Sequence, residues 1–310
     1  MGASMSDLAD LFPGFASKWV DTSIGRMFVR LGGNGPSLLL LHGYPQTCVM
    51  WHRVATLLAP HYTLVIPDLP GYGWSVASRA QVNHAPYDKR SMAAIMIEIM
   101  EQLGFVRFRL AGHDRGGRVA YRLALDHPGR LERLAVLDIV PTYTMWHAMD
   151  RALAMRIWHW TFLAQPNPLP ESLIGHAPVA CLEGGLASAS KSKDLSAFDP
   201  RALAHYRAFF QDPTRIHATC EDYRAGQSVD LEADEADHAA GKKITCPVLA
   251  LWGTAGIPSQ ISAPLQAWRE WANDVAGKPI DSGHFVAEEN PQATAAALMA
   301  FFGESRVDRS

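Results

Sequence analysis

Residues 107–128 read RFRLAGHDRGGRVAYRLALDHP, and the reading of this stretch decides the fold. Arg107 to Ala111 has the texture of a strand. Gly116 to His127 has a helical pattern, stopped by Pro128. The join between them, Gly112-His113-Asp114-Arg115-Gly116-Gly117, is too short and too rich in glycine for anything but a tight turn. Small residues flanking one functional residue between a strand and a helix match the turn that presents a nucleophile. On these residues alone, an Asp114 that merely caps the helix is an equal alternative.

Outward from this turn, the same alternation repeats. Arg26 to Leu31, Ser37 to Leu41, Tyr62 to Ile66 and Arg133 to Asp138 read as strands, and Lys89 to Leu103 as a helix ended by Gly104. The later strands are continuous apolar runs, as for strands buried on both faces. Strand-helix alternation predicts an α/β protein with a mostly parallel, doubly wound sheet. After Pro141 the strand pattern stops. The chain is Ala-rich and helical until about Gly241, and then a strand returns at Pro247 to Trp252. A helix near Pro264 to Trp271, a short run at Lys278 to Ile280 and a helix from Pro291 to Phe302 follow. We therefore expect one core domain from residues 1–141 and 241–310, interrupted by a helical lid over residues 142–240. A lid over strand ends excludes water and shapes a pocket.

Composition narrows the function. The 310 residues are 48% hydrophobic and 19% charged, which is globular and not disordered. With 28 Lys and Arg against 31 Asp and Glu, the net charge is −3, so nucleic acid is not expected as a partner. No apolar run approaches the roughly 20 residues that span a bilayer, so no membrane association is expected. MGASMSDLAD lacks the basic and apolar regions of a signal peptide. Gly2 and Ser6 fit a myristoylation pattern, but a start at Met5 behind a short added leader is the preferred reading. Cys48, Cys181, Cys220 and Cys246 are far apart with no CxxC spacing. That points to reduced thiols in a cytoplasmic protein, without a disulfide framework or a metal site.

Three further positions complete a reactive set around Asp114. His284, in Asp281-Ser282-Gly283-His284-Phe285, follows the last strand and is placed to act as a base. It needs an acid to orient it. The strand after the lid ends in Trp252-Gly253-Thr254-Ala255-Gly256, with no carboxylate, so Asp138 at the end of the strand before the lid is the acid by elimination. His42-Gly43-Tyr44-Pro45 follows an apolar strand, where the backbone N–H of Tyr44 can face the nucleophile beside that of Arg115. Asp68-Leu69-Pro70-Gly71-Tyr72-Gly73-Trp74-Ser75 reads as a structural turn. An Asp nucleophile needs no deprotonation at neutral pH and can attack an electrophilic carbon directly.

These residues resemble the α/β-hydrolase superfamily in its Asp-nucleophile branch of haloalkane dehalogenases and epoxide hydrolases. More closely, the chain resembles the fluoroacetate dehalogenases, also called haloacetate dehalogenases. The resemblance runs nearly end to end through HGYPQT, DLPGYGWS, GHDRGGR, VLDIVPTY, HWTFLAQP, DLSAFDPRAL, CEDYRAG and SGHF. It implies that Asp114 is the nucleophile, His284 the base and Asp138 its partner. It also implies that Arg115 and Arg118 bind the substrate carboxylate, that His159, Trp160 and Tyr223 receive the halide, and that the enzyme is a homodimer without cofactor or metal. Positions i and i+3 on a first helical turn allow the two arginines to converge on one anion. His159 and Trp160, adjacent on a helix, diverge by about 100° and can line neighbouring walls. The implied reaction is hydrolytic dehalogenation of short 2-halocarboxylates, with fluoroacetate plus water giving glycolate plus fluoride through an aspartyl ester.

Cys181 to Lys191 departs from the resemblance in its wealth of small residues, which bears on pocket size. Two rivals share the residues. An epoxide hydrolase would need two lid tyrosines from among Tyr143, Tyr206 and Tyr223. A non-catalytic receptor for small acids could use the same fold.

Overall fold

A computed structural model describes residues 7–261 and 263–303; Met1–Ser6, with the Gly2 and Ser6 pattern, lie outside the described residues. Eight strands form one sheet among the described residues: β1 (Ala16–Thr22), β2 (Gly25–Gly33), β3 (Ser37–Leu41), β4 (Thr63–Pro67), β5 (Phe108–His113), β6 (Leu131–Leu137), β7 (Val248–Gly253) and β8 (Val275–Ile280). Their order is β1-β2-β4-β3-β5-β6-β7-β8. The two pairings that involve β2 are antiparallel and the rest are parallel.

The central strands look as their sequence requires. All five residues of β3, SLLLL, are buried. Leu38 and Leu40 pack into one core, and Leu39 and Leu41 into another on the opposite face. Alternate side chains of a strand point to opposite faces, so a strand covered on both sides must be apolar throughout. The strand β1 was not foreseen. Of its seven residues only Val20 is buried, so it carries no apolar signal as an edge strand.

Around the sheet lie α1 (His52–Leu58), α2 (Lys89–Gln102) and α3 (Asp114–Asp126). The helix α2 stops before Gly104, which adopts φ +88, as its sequence predicts. The helix α3 starts at Asp114 itself, two residues earlier than expected. Between β6 and β7 the described chain has no strand and eight helices: α4 (Thr142–His147), α5 (Arg151–Arg156), α6 (Trp158–Leu163), α7 (Leu169–His176), α8 (Pro178–Ala189), α9 (Pro200–Phe210), α10 (Pro213–Gly226) and α11 (Val229–Ala239). The chain then returns to the core with α12 (Pro258–Ile261), α13 (Pro264–Arg269), α14 (Val286–Glu289) and α15 (Pro291–Gly303). No described helix is long and apolar enough to cross a membrane.

Topology places the site. The strands β3, β5, β6, β7 and β8 are consecutive parallel neighbours, so their carboxyl ends form one row. His113 pairs with Leu137, Leu137 with Leu251, and Gly253 with Ile280. Asp114 and Asp138 therefore leave the sheet at the same level, and His284 follows from the next strand but one. In open α/β sheets this edge is where ligands bind.

Candidate active site

Asp114 holds φ +46, a left-handed conformation that non-glycine residues adopt only at some cost. Close packing enforces it. A Cβ on Gly116 would stand 2.3 Å from the His42 carbonyl oxygen, and one on Gly43 would stand 2.5 Å from the Asp114 Cβ. Both glycines are thus required for the turn to reach the loop after β3. There the Tyr44 backbone N–H donates to Asp114 Oδ1 at 2.8 Å. The other oxygen, Oδ2, lies 3.9 Å from His284 Nε2.

His284 Nδ1 donates to Asp138 Oδ2 at 2.6 Å, and the Gly253 N–H donates to Asp138 Oδ1 at 2.8 Å. This leaves Nε2 facing Asp114. The Asp138 side chain is fully buried, and an added Cβ at Gly256 would fall 2.1 Å from its Oδ1. His113, one residue before Asp114, lies within hydrogen-bond reach of the His284 carbonyl, with Nε2 at 2.9 Å. Burial pulls the His113 pKa down to about 3, so it is a neutral donor there.

The electrostatics set the two reactive groups apart. Burial alone would raise the Asp114 pKa, but the charges of His284, Arg115 and Arg118 hold it below the ordinary carboxylate value. Burial alone would lower that of His284, but the bond to Asp138 and the charges of Asp138 and Asp114 push it above the ordinary imidazole value.

Asp114, Asp138 and His284 line one cavity of about 610 Å³, together with Tyr44, Arg118, His159, Trp160 and Tyr223. The helix α6 supplies His159 and Trp160, and α10 supplies Tyr223. The Trp160 ring packs against Tyr223 at 6.1 Å, and the His159 ring meets Tyr223 at 5.9 Å and stacks on Tyr44 at 6.0 Å. Burial lowers the His159 pKa to about 4 and raises that of Tyr223 well above the ordinary phenol value. Both are neutral at physiological pH and can each offer one hydrogen to an anion.

The two arginines are deployed differently. Arg118 lies 4.6 Å from the Trp160 ring. It donates from Nη1 to the Val140 carbonyl and Thr142 Oγ1, while its buried Nε has no partner. Arg115 packs 4.2 Å over the Tyr223 ring and is not among the cavity-lining residues. Its Nε lies 3.1 Å from both oxygens of Asp222, and Nη2 donates to Asp222 Oδ1 at 2.6 Å and to the Asp222 carbonyl at 2.8 Å.

The comparisons with known proteins agree with this fold. Residues 36–291 fit the family described as alpha/beta hydrolase fold. The chain belongs to the α/β-hydrolase family.

A fluoroacetate dehalogenase of Burkholderia sp is 43% identical to this α/β hydrolase, over 96% of both chains. A soluble epoxide hydrolase of Corynebacterium sp. (strain C12) is 32% identical, over 91% of this chain and 95% of its own. Among solved structures, a chain of this fold from Nostoc sp PCC 7120 superposes with a TM-score of 0.91 at 48% identity, covering 94% of this chain and 99% of its own. Within the family the hydrolase groups with the fluoroacetate dehalogenase.

Sequence reasoning missed several groups that hold the site of this hydrolase in place. Asp222 is fully buried and lies between Arg115 and Lys89, with Tyr72 Oη donating to it at 3.1 Å. Burial works against its charge, yet Arg115 and Lys89 keep its pKa at about 2. Its one visible signal is an acid immediately before Tyr223 in the middle of a helix. Glu288 is buried, with its pKa pushed up to about 8 by burial, and accepts from Tyr206 Oη at 2.5 Å. Nothing in its sequence neighbourhood marks it. The turn from Asp68 to Ser75 is structural, as read from sequence. Asp68 accepts the N–H groups of Cys48 and Trp74, and Ser75 Oγ donates to the Asp68 carbonyl.

Proposed function

We propose that this α/β hydrolase removes halide hydrolytically from short 2-halocarboxylates, with fluoroacetate as the prototype and glycolate as its product. The observation that carries this reading is one cavity that holds an ionised Asp114, an arginine with an unpartnered buried nitrogen, and three neutral hydrogen-bond donors. The relative named fluoroacetate dehalogenase supports it.

In this reading Arg118 grips the substrate carboxylate, and Arg115, paired with Asp222 behind the cavity wall, adds its charge. Asp114 Oδ2 attacks the halogen-bearing carbon in line, since Oδ1 is engaged by Tyr44. The halide leaves toward His159, Trp160 and Tyr223, whose hydrogens stabilise the charge as it develops. His284 then takes a proton from water, which attacks the ester carbonyl carbon of Asp114, and Asp138 stabilises the imidazolium. The Tyr44 N–H receives the oxyanion. Helices α4 to α11, residues 142–240, serve as the lid over the core formed by 1–141 and 241–310. No step calls for a metal or organic cofactor.

The reading extends to a cytoplasmic homodimer. Unpaired cysteines support the compartment, and Met155, Trp158, Leu169 and Leu173 are exposed apolar side chains that a second copy would cover. Of the three lid tyrosines an epoxide hydrolase could use, only Tyr223 lines the cavity. Tyr206 donates to Glu288, and Tyr143 is stacked between His147 and His238.

Halide release from haloacetates and 1-haloalkanes, and diol formation from epoxides of matched size, test the assignment. Turnover of haloacetates with poor turnover of the two uncharged classes is the expected result. Fast epoxide opening or haloalkane hydrolysis with inert haloacetates would overturn it.

A further inference from the structure

The cavity is too large for the substrate just assigned. At about 610 Å³ it falls within the range of roughly 300–1,000 Å³ that buries drug-sized ligands. A two-carbon acid fills a small part of that. Part of its wall is α8: Cys181, Gly184, Gly185 and Ser188 all line the cavity, and Cys181, Gly184 and Ser188 are solvent-exposed. These positions follow i, i+3, i+4, i+7 and make one helical stripe, while Leu182 and Leu186 on the opposite side are buried in the lid. Met145, Phe162, Leu163 and Ile174 face the same space.

This wall is anchored to the reaction centre. The His284 backbone N–H donates to the Ala189 carbonyl at 2.9 Å. Glu289 Oε2 accepts from the backbone N–H groups of both Gly283, next to His284, and Lys191, two residues after Ala189. Counting back from Ala189 at 1.5 Å per residue, the stripe extends about 12 Å from the His284 contact to Cys181. Arg118 lines the cavity and supplies the ionic anchor, and Arg156 is the other arginine in the lining. The α8 stripe itself is made of small residues.

Resting on the dehalogenase reading above, we infer that the cavity along α8 is a substrate branch, and that the enzyme accepts 2-halocarboxylates with an unbranched alkyl chain on carbon 2. The reacting carbon has four bonds to place. One goes to the carboxylate held by Arg118 and one to the halide facing His159, Trp160 and Tyr223. A hydrogen and the chain take the remaining two. Only one enantiomer directs the chain along α8 while its halide stays opposite Asp114. The Asp114–carbon bond forms as the carbon–halogen bond breaks. Water then cleaves the acyl–oxygen bond of the ester and leaves carbon 2 untouched. The net change is 2-haloalkanoate plus water to 2-hydroxyalkanoate, halide and a proton, with one inversion. Each methylene buried in the branch favours the longer substrate by about fourfold in kcat/KM.

The test is bromide release from bromoacetate and from each enantiomer of 2-bromohexanoate, by the natural protein and by Gly184→Leu. A Cβ at Gly184 meets nothing within 4 Å, and leucine suits a helix better than glycine, so the variant fills the branch without disturbing the fold; its thermal melt checks this. We expect one enantiomer of 2-bromohexanoate to be converted to 2-hydroxyhexanoate of inverted configuration. In Gly184→Leu the ratio of kcat/KM for that enantiomer over bromoacetate should fall at least about tenfold. Ser188→Leu, closer to His284, should lower the ratio as well. Turnover of bromoacetate with neither enantiomer converted would overturn the branch and leave the dehalogenase reading standing. An unchanged ratio in both variants would also overturn it. No halide from any of the three would bring down both readings.

Discussion

Asp114 and His284 shift each other in opposite directions through the same contact. The 3.9 Å approach of the imidazole helps to lower the pKa of the carboxylate, and the carboxylate helps to raise that of the imidazole. Ester formation cancels the Asp114 charge and removes part of what raises the His284 pKa, so the base is released when it is needed. The sign for pH follows. Attack needs only ionised Asp114, whose pKa lies below the ordinary value of about 4, so it should be flat from about pH 5 upward. Hydrolysis needs neutral His284 and should slow as pH falls through the pKa of that residue. Rapid-quench mass spectrometry with bromoacetate should therefore find more esterified Asp114 as the pH is lowered toward 5. An ester that accumulates at high pH, or equally at every pH, would contradict this assignment of the base.

The element that most needs its partner is α10. Through Asp222 it fixes Arg115 on α3 and Lys89 on α2, so one buried carboxylate ties α10 to two other helices. Asp222→Asn keeps the shape and removes the charge. Leaving two buried cations without their shared anion should cost about 3 kcal/mol, seen as a lower Tm. Bromoacetate KM should rise about tenfold as Arg115 loses its orientation. A lower Tm with unchanged KM would make Asp222 purely structural. Legibility in the sequence follows the same division. The strand β3 and the turn at Asp114 were readable because burial on both faces and tight packing leave few residue types that fit. The edge strand β1, with one buried residue, left no such mark. Every residue from Ala218 to Gly226 in α10 is buried, so no polar face marked its orientation. Arg115 stood out beside Asp114 in the sequence, but its partner Asp222 did not, because an ion pair distant in sequence has no local pattern.

At the scale of the whole molecule, function follows from sheet order. Five adjacent parallel strands bring Tyr44, Asp114, Asp138, Gly253 and His284 to one edge, although they are spread over most of the chain. The eight helices between β6 and β7 add Trp160 and Tyr223 from above. The sequence carried the first set because each residue closes a strand of recognisable texture. It carried the second only through resemblance, since an aromatic residue in a helical lid usually serves packing. What the arrangement is for turns on whether Asp114 becomes covalently bound to substrate. The direct measurement is a single turnover of chloroacetate in oxygen-18 water with enzyme in excess, followed by mass spectrometry of the peptide that contains Asp114 and of the glycolate. Nucleophilic attack by Asp114 predicts one labelled oxygen in the Asp114 side chain and unlabelled glycolate. Label in the first glycolate with none in Asp114 would mean that water attacks the substrate directly, and would contradict the ester mechanism.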